Sequence, residues 1–278
     1  MNKSISLIIA FYNDILWLEM IFEQLKKQTF KDFEVVIADD GSREDVVQRI
    51  MQLKAEMPFP IQHVWHEDLG WRKDIILNKA VVASDADYLV FIDGDCLPHH
   101  KFLEEHWKYR QEGVVVAGRR VPLTKKITES LSVKSVADGV LSRITLQTLW
   151  AGIKKEERHA ENIIRITSPL LRKLFLKQRT HGLLGCNFGM FKSDLLKVNG
   201  FDERYLIPAT GEDTDLGRQR QPSEKIAAKA GLLVQNLCSS FGLDGDTVQL
   251  FAAEISREIA FVQLQSHIET SSSHEYRH

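Results

Sequence analysis

Three short runs of this chain, ISLIIAF, FEVVIAD and DYLVFID, are apolar at nearly every position. Such runs suit strands buried on both faces, because a strand with one wet face alternates apolar and polar residues. The segments between them have helical spacing. DILWLEMIFEQLKKQT follows the first run, with Asp14 placed to cap it, and REDVVQRIMQLKAE follows the second. A short strand is expected at PIQHVWHED, and a third helix at KDIILNKAVVAS. Strand and helix in alternation imply an α/β fold: a Rossmann-like, mostly parallel sheet flanked by helices. In open sheets of this kind ligands bind at the carboxyl ends of the strands. Asn13 and Asp14 follow the first strand, Asp39 and Asp40 the second, and Asp93 and Asp95 the fourth.

The chain has 278 residues, 44% hydrophobic and 27% charged, enough for a sizeable core. A formal net charge of -2 points neither to nucleic acid nor to an acidic partner. Cys96, Cys186 and Cys238 lie far apart with no CxxC, which argues against a disulfide framework or a zinc knuckle and fits a reducing compartment. The apolar start is short and soon meets Asp14 and Glu19, so neither a signal peptide nor a membrane span is expected. The expected location is cytoplasmic, or peripheral at the inner face of the membrane.

Asp93-Gly94-Asp95 closes the fourth strand. Two carboxylates one residue apart can share a hard cation, Mg2+ or Mn2+, which favours oxygen ligands and substrate phosphates. Gly94 allows a sharp turn and close approach of a ligand. Taken alone the triplet is equally an acidic turn. ADDGSRED makes a strong turn in which Ser42 is placed to cap the next helix. One acid suffices for that turn, so the second is available to a nucleotide base or ribose. No G-x-G-x-x-G follows the first strand and no P-loop pattern occurs, which weakens the dinucleotide and P-loop readings.

LIIAFYN, VVIADDGSRED and DYLVFIDGDCLPH, in this order and spacing, resemble the nucleotide-sugar half of a GT-A glycosyltransferase of family 2. HEDLGWRKDIILNKAV resembles the segment that precedes that family's metal motif. Residues 182–217, containing GCNFGMF and GEDTDLG, resemble the acceptor-side segment of its galactosyltransferase-like members. The resemblance implies that Asp39 or Asp40 holds the uridine and that Arg72 lies near the nucleotide or diphosphate, a surface salt bridge being the alternative. It implies Asp93 on the ribose or the metal, Asp95 on the metal, and Asn13 at the nucleotide. Glu212 and Asp213 match the acidic pair near the acceptor, with Asp213 the expected base. An inverting transfer needs such a carboxylate to take the acceptor proton. The bland reading of GEDTDLG is an acidic helix start. GCNFGMF is expected to be a strand and turn, with Met190 and Phe191 as core.

Four regions are expected: a nucleotide-sugar half at 1–120, a helical basic insert at 121–180, an acceptor-side segment at 181–217 and a divergent tail at 218–278. The insert is either a solvated helical lid or a face touching anionic lipid or a lipid-linked acceptor. In the tail SREIAFVQLQSHIE is read as a helix and SSSHEYRH as a frayed end. The tail departs from the family pattern, leaving His267, His274 and His278 as candidate replacement ligands or solvated histidines. The sheet and donor pocket are expected to form without the residues beyond Phe241. The expected partners are a nucleotide-sugar donor and a glycan acceptor, with no nucleic acid. The expected activity is metal-dependent, inverting hexosyl transfer from a nucleotide diphosphate sugar, expected to be UDP-linked, to a polysaccharide or lipid-linked glycan. The rivals are a weakly catalytic nucleotide-sugar-binding scaffold and a sugar nucleotidyltransferase.

Overall fold

A computed structural model describes residues 3–118, 120–123, 125–141, 185–206 and 263–266. Strand β1 (Ile5–Phe11) leads into helix α1 (Ile15–Lys26), and β2 (Phe33–Asp39) into α2 (Glu44–Glu56). Strand β3 (Ile61–Trp65), helix α3 (Lys73–Ala83) and strand β4 (Tyr88–Asp93) follow. Next come β5 (Cys96–Pro98), α4 (Phe102–Tyr109), β6 (Val116–Ala117) and β7 (Arg120–Leu123). The other described elements are α5 (Lys125–Ser130), α6 (Val133–Ala137), β8 (Asn187–Phe191), α7 (Lys192–Lys197) and β9 (Gln263–Ser266).

The main sheet runs β3-β2-β1-β4-β8-β6. Its first four strands are mutually parallel, and β8 is antiparallel to both β4 and β6. Burial explains the uninterrupted apolar runs. Ile5, Leu7, Ile9, Val35, Ile37, Val90 and Ile92 pack with residues of α1 and α2 on one face. Ile8, Val36, Leu89, Phe91, Phe188 and Met190 pack with Ile76, Leu77 and Ala80 of α3 on the other. Alternate residues thus face opposite layers, and each layer has its own helices. In β8, Met190 is fully buried and Phe191 is partly buried against the core.

The strand order reverses direction between β1 and β4. From β1 the chain steps outward to β2 and β3, then returns to place β4 on the other side of β1. Such a switch point opens a crevice beyond the carboxyl ends of the two strands, here Phe11 and Asp93.

A second, small sheet runs β5-β9-β7. It corrects the sequence reading of SREIAFVQLQSHIE as a helix, because Gln263–Ser266 is a strand, antiparallel to β5 and parallel to β7. The alternation in VQLQ has the strand period, and β5 and β7 both offer ladder partners. The ladder to β5 also bears on the expectation that the pocket forms without the residues beyond Phe241, since β5 directly follows the Asp93-Gly94-Asp95 turn. Of the basic insert, the described part contains the end of β7 and the short helices α5 and α6. Residues 142–184 lie outside the described residues, as does 207–262. Among the described residues no helix is long and apolar enough to cross a membrane.

Candidate active site

A cleft of about 270 Å³ lies at the switch point. Its walls include Phe11 and Tyr12 from the end of β1, Asp40 from the end of β2, and Asp93, Gly94 and Asp95 from the end of β4. Trp71 and Lys73, at the start of α3, complete the rim. Gly94 has a steric reason to be glycine: a Cβ there would lie 2.7 Å from the carbonyl oxygen of Ala10. The acidic turn is therefore pressed against the end of β1, and both carboxylates line the same opening.

The adjacent acids of β2 have different surroundings. Asp39 is fully buried; it accepts from Ser42 N at 2.8 Å and pairs with His63 Nε2 at 2.8 Å. It closes the turn and ties β2 to β3. Asp40 faces the cleft, where its Oδ1 pairs with His66 Nε2 at 2.7 Å and its Oδ2 accepts from Arg72 N at 2.9 Å. Burial raises the Asp40 pKa, opposed by the Arg72 amide and by His66. Each carboxylate oxygen has two lone pairs, so Asp40 retains capacity for a ligand donor. Gly41 sits at φ +97°, and a Cβ there would lie 2.5 Å from the Cα of Asp68, so a side chain at this turn would be strained and would clash.

Ser42 does not cap α2 as expected. The cap residue is Arg43, with no side-chain cap bond, and Ser42 Oγ instead accepts from Asn13 N at 2.7 Å. The Ser42 hydroxyl is thus engaged by Asn13, a residue in the left-handed region (φ 57°), and not by α2. Asn13 Oδ1 in turn accepts from Arg43 N at 2.9 Å, so this side chain joins the β1 and β2 loops and is not among the cleft-lining residues. Asp14 does cap α1, accepting from Trp17 N at 3.4 Å, and also reaches the cleft. Arg72 is partly buried at the N-cap of α3, where its backbone amide holds Asp40.

Two features of the cleft escaped the sequence reading. Lys73 Nζ lies 2.9 Å from Asp93 Oδ1, a partly buried ion pair between two cleft-lining residues. Trp71 Nε1 is buried without a hydrogen-bond partner on the cleft wall. The signal for both was present in GWRK, immediately before an apolar helix, but only Arg72 was singled out there. His63 and His66 were likewise missed, although a strand-end His-x-x-His beside two acidic strand ends is a recognisable pattern. Behind the acidic turn lie Cys96 and Cys186, both buried. Burial pushes the Cys96 thiol well up, reinforced by Cys186 and the nearby carboxylates. Glu212, Asp213, His267, His274 and His278 lie outside the described residues.

The oxygen-rich rim fits a hard divalent cation: Asp93 and Asp95 supply carboxylates, and Gly94 leaves room for close approach. The neighbouring Lys73 and the unpartnered Trp71 N–H supply donors for an anionic oxygen. The family comparison then decides the relationship, because residues 6–197 match the model of Glycosyl transferase family 2. The chain belongs to this family. An uncharacterized glycosyltransferase of Rickettsia bellii is 28% identical over 147 residues, covering 51% of this chain and 21% of that protein. The chondroitin synthase of Escherichia coli is 23% identical over 228 residues, covering 77% of this chain and 31% of the synthase. This family 2 chain thus spans less than a third of either relative. In fold it is similar to the mannosyltransferase PcManGT of Pyrobaculum calidifontis, solved with GDP-Man and Mn2+. The TM-score is 0.50 at 16% identity, over 83% of this chain and 55% of that one. The two share the GT-A fold, a mixed α/β architecture.

Proposed function

We propose that this chain transfers a hexose from a nucleotide diphosphate sugar, UDP-linked, to a polysaccharide or lipid-linked glycan, inverting the anomeric centre. The observation that carries this reading is the convergence of Asp40, Lys73, Asp93 and Asp95 on one cleft at the switch point of a family 2 fold. Asp40 accepts a hydrogen bond from the nucleoside, held in place by His66 and the Arg72 amide, while buried Asp39 keeps the loop in shape. Asp93 and Asp95 hold Mn2+ or Mg2+, which when bound neutralises the departing diphosphate. Lys73, paired with Asp93 beside the same cleft, would offer its ammonium to a phosphate oxygen when Asp93 holds the ion. The Trp71 N–H donates to the same polar cargo. Asp213, with Glu212 beside it, takes the proton of the attacking acceptor hydroxyl. This supports a direct displacement from the face opposite the nucleotide.

Calorimetry of the full chain against UDP-, GDP- and ADP-sugars, with and without Mn2+, tests the donor reading. The guanosine arm is included because the fold neighbour was solved with GDP-Man. Uridine donors are expected to bind much more tightly with the cation than without it, and Asp95→Asn to abolish that gain, since Asn keeps the shape and removes the charge. Unchanged affinity in the variant removes Asp95 from the site. Among products, nucleoside diphosphate marks a transferase, pyrophosphate a nucleotidyltransferase, and binding without turnover a scaffold.

A further inference from the structure

Cys96 and Cys186 are 90 residues apart in sequence, yet the fold brings them together. The antiparallel β4–β8 register pairs Ile92 with Asn187, so Asp93 and Cys186 continue on opposite sides of the same ladder end. The turn at Gly94 and Asp95 separates β4 from β5, and Cys96 is the first residue of β5. One carboxylate oxygen of Asp93 and the sulfurs of Cys96 and Cys186 all lie within 4.8 Å of one another. Both cysteines are almost wholly buried, at 0% and 2% exposure, and Asp95 Oδ1 lies 3.4 Å from Cys96 Sγ.

We propose that Asp93, Cys96 and Cys186 form a site for a thiophilic divalent cation such as Zn2+, and that its occupation withdraws Asp93 from the nucleotide-sugar cleft. Two thiolates and one carboxylate are a soft donor set that favours zinc-like ions over Mg2+. With Zn–S near 2.3 Å and Zn–O near 2.1 Å, tetrahedral ligands stand roughly 3.6 to 3.8 Å apart. The three side chains therefore need to close by about an ångström at most. A fourth position is open to Asp95 or water. On binding, each thiol loses its proton to solvent as its sulfur meets the ion. Asp93 belongs to both clusters, facing the hard-cation cleft on one side and the dithiol on the other. A soft ion behind the turn and a hard ion with the donor in front of it then compete for one carboxylate. This linkage rests on the proposed role of Asp93 in donor binding; the soft site does not.

The test titrates Cd2+ into the full chain, kept under a phosphine reductant, and follows the ultraviolet thiolate-to-cadmium charge-transfer band. One equivalent is expected to saturate the band. Cys96→Ser and Cys186→Ser should each remove it, Asp93→Asn should weaken it tenfold or more, and Cys238→Ser should leave it unchanged. Folding of each variant is checked by circular dichroism, with Cys186→Ala as the second variant if serine is not tolerated. A reduced chain that gives no band, or a band that survives Cys186→Ser or follows Cys238, overturns the proposal. A second titration measures Mn2+-dependent UDP-sugar binding with one equivalent of Zn2+ present. At least a tenfold loss, absent in Cys186→Ser, is expected. An intact band without that loss keeps the soft site and removes Asp93 from donor binding.

Discussion

The Lys73–Asp93 pair is where single-residue chemistry is most exposed to test. The two side chains are 15% and 24% exposed, so their attraction is less screened than that of a surface pair. Lys73 is a competitor for any cation that Asp93 holds, and on the proposed reading also a partner for phosphate. Lys73→Gln should therefore split two affinities. Mn2+ alone should bind the ligand-free chain several-fold more tightly, by about 1 kcal/mol, the scale of one such pair. UDP with Mn2+ should bind more weakly by a similar amount. Isothermal titration of the two ligands separates these; if both move in the same direction, Lys73 is only a structural partner of the turn. Asp213→Asn addresses the chemical step. It should leave donor binding nearly unchanged and reduce transfer by about a hundred- to ten-thousand-fold, the usual cost of a missing general base. A parallel fall in binding and turnover would place Asp213 on the donor. At this scale the sequence was informative about residue types and less so about division of labour. Asp39 and Asp40 are adjacent and chemically identical on paper. Only the inward turn of Asp39 toward His63 and Ser42 distinguishes them, and that depends on β3 pairing with β2.

At the scale of elements, the parallel strands were legible because burial on both faces leaves an unmistakable apolar run. β8 was expected as a strand, but its antiparallel place beside β4 depends on a partner almost a hundred residues away, which no local pattern encodes. β5, β6 and β7 are two to four residues long, too short to show a period. β9 was misread because a short alternating segment within apolar surroundings also matches a helix. The β8 side of the sheet predicts its own pH dependence. His106 of α4 is fully buried against Phe102, with Nε2 at 3.1 Å from Asn187 Oδ1. Burial lowers its pKa from 6.5 to about 4, the Asn187 contact opposing only part of that shift. Between those values the unfolded chain binds a proton that the folded chain does not. Stability on this account is complete above pH 6.5 and is lost as pH falls toward 4, by on the order of 3 kcal/mol in total. Carboxylates titrate in the same range, so the informative quantity is the difference from His106→Gln, which can still donate to Asn187. Urea unfolding at several pH values should show a shallower acid slope in the variant. Equal slopes would mean that His106 binds its proton equally well in the folded and unfolded chain, and that its burial has no bearing on acid stability.

For the whole molecule, the question is how far the cleft depends on the end of the chain. The large sheet is built from residues before 192, and its two cores are closed by α1, α2 and α3. A chain ending at Phe241 keeps all of those contacts, so its main sheet should fold. It loses β9, however, which pairs with Cys96, Leu97 and Pro98 on one side and with Arg120 to Leu123 on the other. Removing the central strand of a three-stranded sheet leaves two edges without ladder partners, and buried backbone groups without partners are costly. The loosened strand β5 begins one residue after Asp95, so the loss should reach the carboxylate turn before it reaches the sheet. The truncated chain should therefore retain its far-ultraviolet signature and most of its cooperative unfolding. Its Mn2+-dependent UDP affinity should fall by about tenfold or more, equivalent to roughly 1.4 kcal/mol. Metal-independent contacts through Asp40 should change little, which titration of uridine without cation can detect. Unaltered Mn2+-dependent binding would show that the acidic turn is held by Gly94 and the β1 end alone, and that β9 contributes nothing to the site.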